Sequence, residues 1–298
     1  MTKRSPLLMA STLAVAYWAV FLAVFLGVSG AGVARADELV VPKATPTAEG
    51  EPPPPRPAAN WLVYNERPLT LSKGMLLLHG DLVDVLTSGQ GGKPIWITPN
   101  IYYGVTDDFT IGIAGNVDAE FFPVGGGFCF GGTYCSNHIL NKGSLDMLLS
   151  LLRAPGSAVA LHAGADVSNF SPFVLDVRGG ALMRFGLAGP LALLADPAVS
   201  VYVLNRGPGA EEWITVPLRL GFQINDQVNA GLATGLNAPV DGFAKNYAIP
   251  VGVMALLTPN ERLDVGFNFT LGNVGGKHQS GQGAFTNKSI ALTVNYRL

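Results

Sequence analysis

The chain has 298 residues, 48% of them hydrophobic and only 13% charged, with a formal net charge of −2 and a mean hydropathy of +0.32. Soluble domains carry about a quarter charged residues, so this balance points to lipid, and the near-neutral charge excludes the basic footprint of a nucleic-acid-binding protein. Outside residues 7–28 no apolar run reaches the roughly 18 residues a spanning helix needs, which excludes a helical bundle and leaves the apolar content to short segments.

At the N-terminus, Lys3 and Arg4 precede the apolar run from Leu7 to Val28, and Ala34-Arg35-Ala36 supplies the small-x-small pattern that a signal peptidase requires. Residues 1–36 therefore read as a signal peptide, with an uncleaved anchor helix as the alternative. No cysteine follows Ala36 to serve as a lipoprotein attachment site. Residues 37–73 follow as a linker: Pro42, Pro46, Pro52 to Pro55 and Pro57 lie among Ala, Glu and Thr, a composition that favours extended polyproline conformations over a core. It reads as a periplasmic spacer, contact with peptidoglycan or a partner being the other reading.

Residues 74–298 alternate with period two. Ile95, Ile97, Ile101, Tyr103 and Val105 share one face, and Trp96, Thr98, Asn100, Tyr102 and Gly104 the other. Phe109, Ile111 and Ile113 continue the pattern, as do Leu263, Val265, Phe267, Phe269 and Leu271. Segments of about ten residues match tilted strands crossing a bilayer and exceed the five or six usual in a soluble sandwich.

Short polar breaks at Thr106-Asp107-Asp108, Arg153 to Gly156, Gly189-Pro190, Asn225 to Gln227 and Thr258 to Glu261 suit tight turns. Between them fall longer connections near 87–93, 119–143, 168–172, 204–211, 237–246 and 273–285. Strict alternation of short and long connections is how outer-membrane barrels are built. The expectation is an all-β fold: a transmembrane antiparallel up-and-down β-barrel of about 12 strands, beginning near residues 74, 94, 109, 144, 158, 173, 190, 212, 227, 247, 262 and 286. Ten or fourteen strands are the alternatives, and an even number places both termini in the periplasm of an outer-membrane protein.

The last segment, Ile290, Leu292, Val294, Tyr296 and Leu298 against Ser289, Ala291, Thr293, Asn295 and Arg297, resembles the C-terminal strand signal of outer-membrane proteins, though that signal usually ends in Phe. The phrase from Pro99 through Tyr102-Tyr103-Gly104-Val105-Thr106-Asp107 to Ile113 resembles a hairpin common in porin-like barrels of the phenol-degradation MetA-pathway group. The resemblance implies passive or facilitated passage of small, hydrophobic or aromatic compounds. A channel is the expected function, with a plugged structural barrel whose outer loops bind a partner as the alternative.

By parity, Asp118, Asp146, Asp166, Asp176, Asp196 and Asp264 fall on the inward face, as do Arg178, Arg184, Arg219 and Arg297. An arginine facing lipid at mid-membrane costs about 2–4 kcal/mol, so these charges line a lumen, either paired across it or acting as a selectivity filter. Trp96, Tyr102, Leu148, Leu182, Leu194, Met254 and Leu256 share that face and make the lumen partly apolar.

Chemistry beyond passage finds little support. His79 shares a face with Asp81, and His162 with Asp166, but neither pair stands beside a serine motif, so no catalytic residue is assigned. Gly125-Gly126-Gly127 lacks the Lys-Ser or Lys-Thr of a phosphate loop. Cys129, Cys135 and His138 do not complete a metal site. A Cys129–Cys135 disulfide in the longest external loop is the expectation for an oxidising compartment. The expected partners are the lipid bilayer, a small-molecule solute and the barrel-assembly machinery; no nucleic acid or cofactor is expected, and the oligomeric state stays open.

Overall fold

A computed structural model of the chain describes residues 60–86, 94–116, 121–122, 126–131, 135, 140–154, 156–170, 173–205, 212–243, 246–276 and 288–298. The signal segment and most of the linker lie outside the described residues, as do Asp118 and His138.

Every strand pairs antiparallel, and the chain folds into a closed 12-strand barrel. Fourteen segments build it: β1 (Leu76–Val85), β2 (Ile95–Thr106), β3 (Phe109–Ala114), β4 (Gly127–Phe130), β5 (Leu140–Ala154), β6 (Ser157–Phe170), β7 (Phe173–Gly186), β8 (Leu191–Ala195), β9 (Ala198–Leu204), β10 (Trp213–Asn225), β11 (Val228–Pro239), β12 (Val251–Asn260), β13 (Leu263–Leu271) and β14 (Lys288–Arg297). β3 and β4 together fill one position between β2 and β5, and β8 and β9 together fill another between β7 and β10. β14 returns to β1 in the register Leu77↔Arg297 to Val85↔Ser289, which removes both sheet edges. Closure satisfies the backbone donors and acceptors that lipid cannot.

The expected starts lie close to the observed ones, the largest offsets being at β5 (144 expected, Leu140 observed) and β12 (247 expected, Val251 observed). β5 is longer because β4 supplies it with an extra partner, Phe128 pairing with Leu140. β12 starts late because Pro250 has no N–H to donate, although Ala248 already bridges Asn237. A proline also divides β8 from β9: Pro197 cannot donate, yet its carbonyl still accepts from Ala181 N (3.1 Å) while Asp196 N donates to Pro217 (3.1 Å).

The alternation sets the faces as expected. Ile97, Ile101, Tyr103, Phe267, Leu292 and Val294 are exposed on the outside, whereas Thr98, Asn100, Asp264, Asn268 and Thr270 are buried within. This is the inverse of a soluble protein and matches a wall that meets hydrocarbon.

Two sequence expectations are corrected. Residues 119–143 are not one external loop, because Gly127–Phe130 re-enters the wall as β4, opposite Ile95 to Ile97. Re-entry depends on glycine: Gly127 holds φ +78°, and a Cβ at Gly126 would collide with the Gly115 carbonyl. Cys129 consequently lies in the wall and not in a loop; its disulfide to Cys135 packs inward against Trp96, Val83 and Ala291.

The second correction concerns residues 60–73, read from composition as the end of the spacer. They belong to the compact unit Ala58–Leu298, and Trp61, Arg67, Thr70 and Leu71 are buried. The segment enters the barrel at the end carrying the short turns and the C-terminus. Thr70 Oγ1 donates to the Asp107 carbonyl (2.7 Å) and Thr110 Oγ1 accepts from Leu71 N (2.8 Å). A hydrogen-bonded exchange between Gly74, Met75 and Gly104 then leads into β1.

Candidate functional site: the barrel interior

The inward side chains fall into three groups along the barrel. At the end bearing the turns, Arg67 of the entering segment forks onto Asp264 of β13, with Nη1 to Oδ2 at 3.0 Å and Nη2 to Oδ1 at 2.8 Å. It also donates to Thr258 Oγ1 (2.9 Å) and the Trp61 carbonyl (2.7 Å). Arg297 of β14 pairs with the same Asp264 and lies over the Trp61 ring, 5.2 Å from its centroid. Arg219 of β10 stacks on Tyr64 at 4.3 Å and donates to its hydroxyl (2.7 Å) and to Asn229 Oδ1 (3.0 Å). Arg184 of β7 donates to the Arg67 carbonyl. Two guanidinium groups thus share the Asp264 carboxylate, and two aromatic rings of the segment accept cation–π contact. The segment's backbone is anchored as well, since Asn65 Nδ2 donates to the Pro190 carbonyl (2.8 Å).

Near the middle, His162 of β6 bridges two carboxylates, Nε2 to Asp146 Oδ1 at 2.7 Å and Nδ1 to Asp196 Oδ2 at 2.9 Å, and Arg178 Nη2 donates to Asp196 at 2.8 Å. Both imidazole nitrogens are taken by carboxylates, which leaves none to activate a serine. His79 is similarly held between Asp81 Oδ2 (2.6 Å) and Asn295 Oδ1 (2.6 Å). Toward the far end, Asp166 and Asp176 face one another across β6 and β7, with Lys142 Nζ 3.5 Å from Asp166.

Among the described residues expected in the lumen, Asp146, Asp166, Asp176, Arg178, Asp196, Arg219, Asp264 and Arg297 are buried inside, while Arg184 and Tyr102 are half-buried. Trp96 is inward too, but it packs against the disulfide. Pairing across the interior holds most of these charges: buried charges are tolerated when each is matched by a counter-charge or strong hydrogen bonds.

A cavity of about 210 Å³ remains between these groups. Leu148, Leu182, Leu194, Leu256 and Tyr102 contribute its apolar wall, and Tyr64, Arg67 and Leu69 of the segment form its floor. Phe121 closes another side. It stands on the excursion between β3 and β4 and packs, 2% exposed, on Leu182 and Leu194. Asn116 Nδ2 donates to the Phe122 carbonyl (3.1 Å) and Asn100 Nδ2 to that of Asn116 (3.1 Å), holding the excursion inward. Neither Phe121 nor residues 60–73 were singled out from the sequence. The available signals were slight: adjacent Phe121-Phe122 in a Gly-rich stretch, and aromatic Trp61 and Tyr64 just after the prolines.

A closed twelve-stranded antiparallel wall, apolar outside and charged inside, defines the class as an antiparallel β-barrel with a lipid-suited exterior. Among solved structures the chain is similar to the NanC porin, at 9% identity and a TM-score of 0.52 over 74% of this chain and 100% of that one. It is also similar to the KdgM porin solved in complex with disordered oligogalacturonate, at 6% identity and a TM-score of 0.50 over 74% and 98% of the two chains. At such identities the likeness is one of fold. No family model matches the chain, and no curated protein matches it.

Proposed function

We propose that the protein is an outer-membrane channel for small solutes whose pore is closed from within by its own residues 60–73. The observation that carries this is the cavity of about 210 Å³ inside a closed wall, bounded by the entering segment and Phe121. A cavity of about 150 Å³ lined by aliphatic and aromatic residues accommodates benzene, and the leucine-rich wall here suits an apolar or aromatic solute, the class implied by the MetA-pathway-like hairpin. The fixed charges of Arg178, Arg184, Asp146 and Asp196 would orient polar substituents and set ion selectivity. In this reading residues 1–36 are removed on export, both termini face the periplasm, and the barrel-assembly machinery inserts the wall. N-terminal sequencing of outer-membrane fractions tests export, with Asp37 as the expected first residue.

The experiment for the channel is single-channel recording in planar bilayers, comparing the mature chain with one lacking residues 37–73. The truncated barrel is expected to conduct in steady, larger steps and the mature chain in rare or small ones. A folded truncated barrel that passes no current would establish the second reading, a structural barrel filled by its charge network, which the Asp146–His162–Asp196 and Arg178–Asp196 ties of the wall favour.

A further inference from the structure

Asp166 of β6 and Asp176 of β7 stand directly opposite one another on the inner wall, with Ser144 of β5 opposite Asp166 and Tyr202 of β9 opposite Asp176. Both carboxyl groups are buried, and they lie within hydrogen-bonding reach of each other. Two cations act on them: Lys142 Nζ is 3.5 Å from Asp166 Oδ2, and Arg178 acts on Asp176 while also holding Asp196. One oxygen of each carboxyl, Asp166 Oδ1 and Asp176 Oδ1, is buried and receives no N–H or O–H from the described residues, the Ser144 hydroxyl included. Buried polar atoms are matched in all but a few cases, so two unmatched acceptors in one facing pair call for a physical account. A carboxylate only accepts, whereas a carboxylic acid also donates, so a hydrogen bond between two carboxyl groups requires a proton.

We infer that Asp166 and Asp176 hold one proton between them, one carboxyl donating to the other, as a proton-dependent latch between β6 and β7. Two carboxyl groups in contact do not both ionise freely, because the second charge would form against the first. With the proton in place the pair carries one negative charge, with Lys142 and Arg178 as counter-charges. The charged and titratable groups facing it among the described residues are Lys142 of β5, Arg178 of β7 and Tyr202 of β9. Asp146, tied to His162, stands one inward row further along, in line with Gly164 and Arg178. When the proton leaves for water, two carboxylates remain opposed in adjacent strands, and like charges so placed weaken the pairing. The latch lies near the β6–β7 connection, at the barrel end opposite residues 60–73. It belongs to the wall and is read without current, so it stands or falls independently of conduction.

The test uses the mature chain folded in detergent and labelled with carbon-13 at the aspartate side-chain carboxyl. Infrared spectra at neutral pH are expected to show the C=O band of a protonated aspartic acid, lost in Asp166→Asn and in Asp176→Asn alike. In either variant the new amide donates to the remaining carboxylate, so the strands should still pair. Raising the pH should remove the wild-type band in one step, and the temperature at which heat modifies the barrel should fall through that step. In Asp176→Asn it should stay level. The sign follows from linkage: a proton held by the folded pair and not by the unfolded chain stabilises the fold until rising pH strips it. Lys142→Met, which keeps both carboxyl groups and removes a cation favouring the ionised form, should move the step to higher pH. Folded wild type without the band at neutral pH would overturn the inference, since Lys142 and Arg178 would then balance two ionised carboxylates. So would a band that survives both aspartate substitutions, an unfolding temperature that ignores the step, or a step unmoved in Lys142→Met.

Discussion

Replacing Arg67 by alanine should free residues 60–73 from the interior and raise the open probability of the pore. Arg67 is 6% exposed and gives four hydrogen bonds, two of them a fork on Asp264. Removing one partner of a buried ion pair costs about 3–5 kcal/mol, mostly from the charge left behind. Here Asp264 keeps Arg297, Thr258 and Asn295 as partners, which places the loss near the lower bound. A loss of about 3 kcal/mol multiplies the displaced population by somewhat over 100-fold. Arg67→Lys retains the charge without the fork and should give a smaller effect of the same sign. Single-channel recording reads the open fraction, and the maleimide labelling rate of a Leu69→Cys variant, made in each background, reads release of the segment directly. If Arg67→Ala folds to a heat-modifiable barrel and leaves both readouts unchanged, the segment is not a displaceable plug.

Phe121→Ala should widen the cavity and raise conductance, while costing about 3–5 kcal/mol of stability as a buried aromatic truncation; denaturant titration alongside conductance separates the two effects. Ile101→Arg, on the exposed face of β2, should cost about 2–4 kcal/mol if that position lies at the midplane, reducing the heat-modifiable fraction recovered from membranes. Arg178→Ala, which leaves Asp196 with His162 alone, should shift selectivity toward cations in reversal-potential measurements under a salt gradient; unchanged selectivity would remove Arg178 from the conducting path. Because the disulfide closes a ring with a sequence separation of only six, Cys129→Ser/Cys135→Ser should cost about 2 kcal/mol. Its effect should concentrate in faster amide exchange of β4, with heat-modifiability of the barrel retained.

The wall was legible because lipid imposes a simple rule. An outward residue must be apolar and its neighbour faces inward, so Ile97, Ile101 and Tyr103 against Thr98 and Asn100 state both the strand and its faces. Tight turns such as Asp107-Asp108 and Asp226-Gln227 mark the chain reversals locally, and parity alone carried Asp146, Asp196, Arg219 and Asp264 to the interior. Parity cannot say what those charges meet once inside. Asp264 finds its partners 197 residues away at Arg67 and 33 away at Arg297, and His162 joins Asp146 to Asp196 only because β5, β6, β7 and β8 curve round one lumen. Composition misled at residues 60–73, since a proline-rich stretch has no core of its own to bury; its Trp61 and Arg67 are buried, and its Tyr64 half-buried, by a surface that other strands supply. The sequence by itself thus determined the class, most of the strand positions and the inward parity of charges such as Asp146, Asp196, Arg219 and Asp264, all of which rest on period-two contacts with lipid and on local turns. Only the tertiary structure decided that the lumen is filled from one end by Arg67 and from the side by Phe121, because closing the barrel brings distant side chains within hydrogen-bonding and packing distance.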